Sequence, residues 1–355
     1  MTMKLLNPGP VSMTERVHAA LACEDVCHRE PEFKALIGRI REKIPAIYGA
    51  PDYVPVLIGG SGTAAVETML SLVSKTDKAL VVANGVYGER MAAMLKAQGK
   101  SFDVVETTWT SAMDVASVEK KLAANKYGHV LAVHHETTTG RLNDLGALGT
   151  LCKKNGVPLL VDAVSSFAGE AIDFEAWNIE ALAATANKCI HGAPGVSFVL
   201  AKASAIARPS QATSVYLDLQ KHAADQAKGS TPFTLPTHVS FALDAALDEL
   251  AESGGWKARH ALYTKRSKLV RKALADLGVG LLLEREEEYG STLTSFRLPT
   301  GKTYEALHAR LKKDGFVIYA GQGKFDGAIF RIAVMGELTD RDLDRLVDSL
   351  RGALA

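Results

Sequence analysis

The stretch "VPLLVDAV", residues 157–164, decides the fold. Its apolar core is too short for a helix, follows a glycine at 156 and stops on an acidic residue, Asp162. Such a run reads as a strand buried on both faces. Working outward, "KALVVAN" (78–84), "HVLAVHH" (129–135) and "GVSFVLA" (195–201) repeat the pattern. Between these runs, "GERMAAMLKAQG" (88–99) and "LGALGTLCKKNG" (145–156) read as helices closed by glycine. Strand–helix alternation predicts an α/β fold with a mostly parallel sheet covered on both faces. In such sheets ligands sit at the carboxyl ends of strands, beside helix N-termini.

Beyond about residue 255 the texture changes. A long helical stretch, "GWKARHALYTKRSKLVRKALADLG" (255–278), leads to strand candidates "GFVIYAG" (315–321) and "AIFRIAV" (328–334), then a helix from Thr339. The expectation is a large domain over 1–255 and a smaller α+β C-terminal domain over 256–355, packed around a cleft.

The chain has 355 residues, 47% of them apolar, enough for a sizeable core. Lys and Arg number 41 against 40 Asp and Glu, so no basic footprint points to nucleic acid or an anionic membrane. Any anionic ligand must be held by local donors. The four cysteines, Cys23, Cys27, Cys152 and Cys189, have neither metal nor disulfide spacing and read as reduced thiols. Pro8 and Pro10 interrupt the N-terminus before any signal-like run, and no stretch nears the ~20 apolar residues of a membrane span. These features predict a soluble, cytoplasmic protein.

Several strand ends carry candidate chemistry. In "IGGSGTAAVETML" (58–70), glycines and two hydroxyls run into a helix start, where Ser61, Gly62 and Thr63 form a cup for a phosphate. No Gly-Lys-Ser/Thr follows, so it is not a P-loop. Tyr87 lies between Gly85 and Gly88 after a strand, where its ring could cover a flat ligand. "HHETTTGRLND" (134–144) offers Glu136 and the hydroxyls of Thr137 to Thr139. Asp162 ends an apolar strand, a costly place for a carboxylate without a cationic partner. In "ATANKCIHGAPG" (184–195), Lys188 stands where a run of small residues breaks into glycine and proline.

Read singly, each has an ordinary alternative: a serine or aspartate N-cap, a packing tyrosine, turn threonines, a solvated lysine. Together, in this order, they match what pyridoxal phosphate needs. Its phosphate needs a helix-start cup, and its ring needs a stacking partner. The pyridine nitrogen needs a carboxylate, and the aldehyde needs a lysine for a Schiff base.

The segments "LLNPGPVS", "CHREPEF", "GGSGTAAVE", "NGVYGERM", "HHETTTGRLN", "VDAVSSFAG", "ANKCIHGAPG", "FTLPTH" and "FRIAVMGE" resemble those of class V, fold-type I pyridoxal-phosphate aminotransferases. They are most similar to the branch acting on 2-aminoethylphosphonate and pyruvate. That resemblance implies that Lys188 is the Schiff-base lysine and proton shuttle, Asp162 the pyridinium partner and Tyr87 the stacking ring. It further implies that Ser61, Gly62 and Thr63 hold the phosphate and that Thr137 lies near the ring's phenolate. Thr234 would reach the phosphate from the second subunit of a homodimer, Arg331 would grip the substrate's anionic end, and residues 1–15 would contribute to the cleft. Arg29, Arg90 and His28 are further candidates for the anion pocket, and no metal is implied. The alternative on the same scaffold is an alanine– or serine–glyoxylate aminotransferase. A desulfurase-type lyase would want a cysteine in a mobile loop, and none follows Cys189. A non-enzymatic nucleotide-binding domain would leave Lys188 and Asp162 unexplained.

Overall fold

The structure, a computed structural model, describes residues 3–354; the outermost positions of the two expected domains, 1–2 and 355, lie outside them. Helix α1 (Pro31–Ala46) leads to strand β1 (Tyr53–Gly59) and helix α2 (Gly62–Met69). There follow β2 (Ala79–Ala83), α3 (Val86–Ala97), β3 (Phe102–Glu106), α4 (Val115–Ala124), β4 (His129–Val133) and α5 (Leu145–Lys154). Strands β5 (Leu159–Asp162), β6 (Ile179–Thr185) and β7 (Val196–Lys202) complete a seven-stranded sheet in the order β1-β7-β6-β5-β4-β2-β3. Only β7 runs against its neighbours β1 and β6; the pairs β6–β5, β5–β4, β4–β2 and β2–β3 are parallel.

The sheet is apolar on both faces because its strands alternate between two cores. Leu80, Val130, Leu159 and Leu182 pack on one side, and Val81, Leu131, Leu160 and Ala183 on the other. Each fully buried leucine contributes about 1.5–3 kcal/mol relative to exposure, which pins the register. The helices between strands begin on side-chain caps where aspartates precede them: Asp114 accepts from Ser117 N, and Asp144 from Gly146 N and Ala147 N.

The rest of the chain forms α6 (Leu219–Ala227), α7 (Thr237–Glu252), α8 (Gly255–Ala275) and a three-stranded antiparallel sheet. This sheet joins β8 (Leu293–Arg297), β9 (Tyr319–Ala320) and β10 (Ile329–Ala333), with β10 in the centre. The final helix, α9 (Asp340–Leu354), follows at the position the sequence predicts. The expected single strand over 315–321 is split. Phe316 and Val317 pair in parallel with Lys4 and Leu5, whereas Tyr319 and Ala320 join β10. The break between them sends neighbouring residues to two different sheets. No helix among the described residues is long and apolar enough to cross a membrane.

Candidate active site

The carboxyl ends of β1, β4, β5 and β6 open into a cavity of about 490 Å³. Its floor begins where β1 turns into α2. Gly60 takes φ +149, and a Cβ there would lie 2.9 Å from that of Ala64, so the turn requires glycine. Ser61 is the N-cap of α2, yet its side chain makes no capping bond. The N–H groups of Gly62 and Thr63 likewise find no acceptor among the described residues. Idle donors at the positive end of a helix form an anion site.

Facing the cup is Asp162, at the end of β5 and 6% exposed. One carboxylate oxygen accepts from Val164 N at 3.0 Å, and the other has no partner among the described residues. Burial pushes this carboxyl up to about 6, against the opposing pull of the Val164 N–H, Arg90 and Lys188. Burial also lowers the Lys188 ammonium to about 8. Lys188 Nζ donates to the carbonyl of Pro8. The segment Asn7–Pro10 thus passes from the Lys4–Phe316 pairing over the lysine, and Gly9 makes room for it. A Cβ at Gly9, which has φ +121, would lie 2.6 Å from Lys188 Nζ.

Tyr87 sits in the first turn of α3 rather than in the loop that its flanking glycines suggest. The Arg90 guanidinium lies 4.7 Å from its ring centroid and reaches Thr63 Oγ1 at 3.4 Å. Across the cavity, Thr137 is buried, and its carbonyl accepts from Arg331 Nη1 at 2.7 Å. Arg331 Nε donates to Ala320 O at 2.8 Å, and the guanidinium lies 5.0 Å from the Tyr319 ring centroid. Arg331 Nη2 has no hydrogen-bond partner among the described residues. The strand-face position suggested by sequence alternation is therefore an interior one, 1% exposed.

Ser61, Gly62, Thr63, Tyr87, Thr137, Asp162 and Lys188 all line this one cavity, together with Arg90. Arg331 is not itself among the lining residues, although its partner Thr137 is, and neither is Thr234. Thr234 is exposed and meets His28 Nε2 at 3.4 Å, while its neighbours Leu235 and Pro236 lie against Gly59. Arg29 is exposed and His28 is not among the lining residues. Cys189, beside the lysine, is buried, and burial raises its thiol to about 12. The sequence reading missed His135, which lines the cavity and leaves Nε2 buried without a partner. Its position two residues past β4 was the available signal.

The donor set fits the cofactor expected from the sequence: idle N–H groups for a phosphate, an aromatic face, a carboxylate with a free oxygen, and a primary amine of lowered basicity. Comparisons with known proteins agree. Residues 14–334 match the family model described as aminotransferase class-V. A protein of Vibrio vulnificus named 2-aminoethylphosphonate–pyruvate transaminase is 39% identical, over 99% of this chain and 97% of its own. A protein of the same name from Bacillus cereus is 38% identical, over 98% and 96%. The crystal structure of an alanine–glyoxylate aminotransferase from Nostoc sp. superposes with a TM-score of 0.93 at 26% identity, covering 100% of this chain and 96% of that one.

Proposed function

The chain belongs to the class-V aminotransferase family, enzymes that depend on pyridoxal 5'-phosphate, and we propose that it moves the amino group of 2-aminoethylphosphonate to pyruvate. The products are phosphonoacetaldehyde and L-alanine, a step in phosphonate breakdown. The observation that carries this reading is near-full-length similarity to transaminases named for that pair of substrates.

When bound, pyridoxal phosphate supplies an aldehyde that condenses with amines and a ring that takes up the electron pair left by a departing proton. The residues here do the rest. The Gly62 and Thr63 N–H groups and the Ser61 hydroxyl would hold the phosphate. Asp162 would keep a proton on the pyridine nitrogen, Tyr87 would cover the ring, and Thr137 would serve its phenolate. Lys188 Nζ would remove the proton from the amine-bearing carbon of the donor. A lysine lowered to about 8 has an appreciable free-base fraction near neutral pH, which proton abstraction requires. Arg331 offers its free Nη2 to phosphonate or carboxylate, a geometry suited to either anion.

The same reading makes the enzyme a cytoplasmic homodimer in which the partner subunit's Thr234 closes the phosphate site. It divides the chain into a large cofactor-binding domain, 1–255, and a small domain, 256–355. Residues before 15 then serve the cleft, as the Pro8 contact to Lys188 supports. A panel of amino donors tests the substrate. With pyruvate as acceptor, 2-aminoethylphosphonate should exceed serine and β-alanine in kcat/KM; a better rate for serine with glyoxylate would replace this reading with the glyoxylate aminotransferase. Full activity of a monomer at high dilution would remove the shared site.

A further inference from the structure

Helix α3, which carries Tyr87, has no cap of its own, because its N-cap is Gly85. The cap comes from far along the chain. Glu136 Oε2 accepts from Tyr87 N at 3.1 Å, and Thr138 Oγ1 accepts from Val86 N at 3.3 Å. The other oxygen, Glu136 Oε1, accepts from Thr138 N at 3.1 Å and from Thr138 Oγ1 at 2.5 Å. The carboxyl group is fully buried, and it forms no ion pair among the described residues. Burial pushes this carboxyl up to about 7, against the opposing pull of its three donors, so it holds its place by hydrogen bonds rather than by a paired charge.

Gly85 has φ 173, extended backbone open to any residue, so its conformation does not require glycine. The requirement is room. A Cβ at Gly85 would lie 2.3 Å from Glu136 Cδ and 2.6 Å from Oε2. Two separate sequence segments are therefore fitted to one contact, between a buried carboxylate and the amide of the residue whose ring faces the cavity.

We propose that Glu136 is a positioning residue for Tyr87: by capping α3 at the Tyr87 amide, it fixes where the ring stands over the cofactor. This rests on the reading of Tyr87 as the stacking ring. Arg90, one turn further along α3, contacts the ring from within the same helix, and among the described residues the restraint from outside α3 on the Tyr87 amide is Glu136. The bland alternative is that Glu136 merely closes its own turn, through Thr138 N and Gly140 N. That role would not pass through Tyr87.

A double-mutant cycle on the complete enzyme separates the two. Glu136→Gln keeps the shape but replaces one acceptor oxygen with a donor group. Its expected effects are faster amide exchange at Tyr87 and about tenfold weaker retention of pyridoxal phosphate, the size of one lost hydrogen bond to a buried group. In a Tyr87→Ala background the same substitution should change retention by less than about twofold, because the ring it positions is gone. Glu136→Asp, one methylene too short to reach the Tyr87 amide, should behave like Glu136→Gln and covers the case in which that variant fails to fold. Additive losses in the double variant, unchanged exchange at Tyr87, or full retention in Glu136→Asp would overturn the proposal while leaving ring stacking intact. No loss in Tyr87→Ala alone would instead overturn the stacking reading, and the proposal with it.

Discussion

The two ends of the site, the cup that lines the cavity and the buried arginine behind Thr137, are built on opposite principles. At the cup, Ser61, the first N–H groups of α2 and one oxygen of Asp162 are all left idle. At the small-sheet end, Arg331 is already engaged by two carbonyls and by the Tyr319 ring, with one nitrogen spare. Idle groups cost stability until a ligand arrives, whereas engaged groups are preorganised and cost little more when it does. The cup is thus suited to a resident cofactor bound once. The arginine is suited to substrates that come and go and differ in shape.

The largest expected effect tests the lysine at the boundary between the ends. Lys188→Ala should lower kcat by about a thousandfold or more while the protein still folds, since the proposed proton-transfer group is lost. Borohydride reduction and peptide mapping of the wild type should place the pyridoxyl group on Lys188, and a label on another lysine would break the assignment.

The next test uses the idle carboxylate. With its native value near 6 against an ordinary 3.8, Asp162 binds more protons folded than unfolded between those limits. Its raised value therefore favours the fold below about pH 4, and that advantage disappears as pH rises through 6. At pH 7.5, Asp162→Asn should stabilise the cofactor-free protein by up to about 3 kcal/mol, from ~1.4 kcal/mol per pKa unit, while impairing catalysis. Thermal melts at pH 7.5 and at acid pH check it: equal gains at both would show that charge burial is not the cause.

At the engaged end, Arg331→Ala should raise KM for 2-aminoethylphosphonate and for pyruvate by about tenfold or more, without loosening the cofactor. Loss of cofactor in that variant would dissolve the contrast between the ends. The smallest effect belongs to one hydroxyl of the cup. Ser61→Ala should weaken cofactor retention by about threefold to tenfold, with little change in thermal stability, because Ser61 makes no capping bond to lose. A melt lowered as far as for an ordinary N-cap removal, about 1 kcal/mol, would mean that the serine serves the helix instead.

The sequence by itself determined the strands β2, β4, β5 and β7, because continuous apolar runs bounded by glycine admit little else. It also singled out residues that the fold brings to one cavity: a glycine–hydroxyl helix start, a strand-end Asp162 and Lys188 are local patterns whose residue types are costly without a ligand. Strand β8 was not legible, since "LTSFR" is short and mixed and becomes a strand only by pairing with β10. Nor was the split at Ile318, which depends on the N-terminal segment arriving at Phe316. Tertiary structure alone decided that Arg331 is buried against Thr137, that Pro8 lies over Lys188, and that Glu136 caps the helix of Tyr87. Each joins residues dozens to hundreds of positions apart. A local pattern can announce that a polar group needs a partner, but only the folded chain determines which distant group satisfies it and which is left free for a ligand.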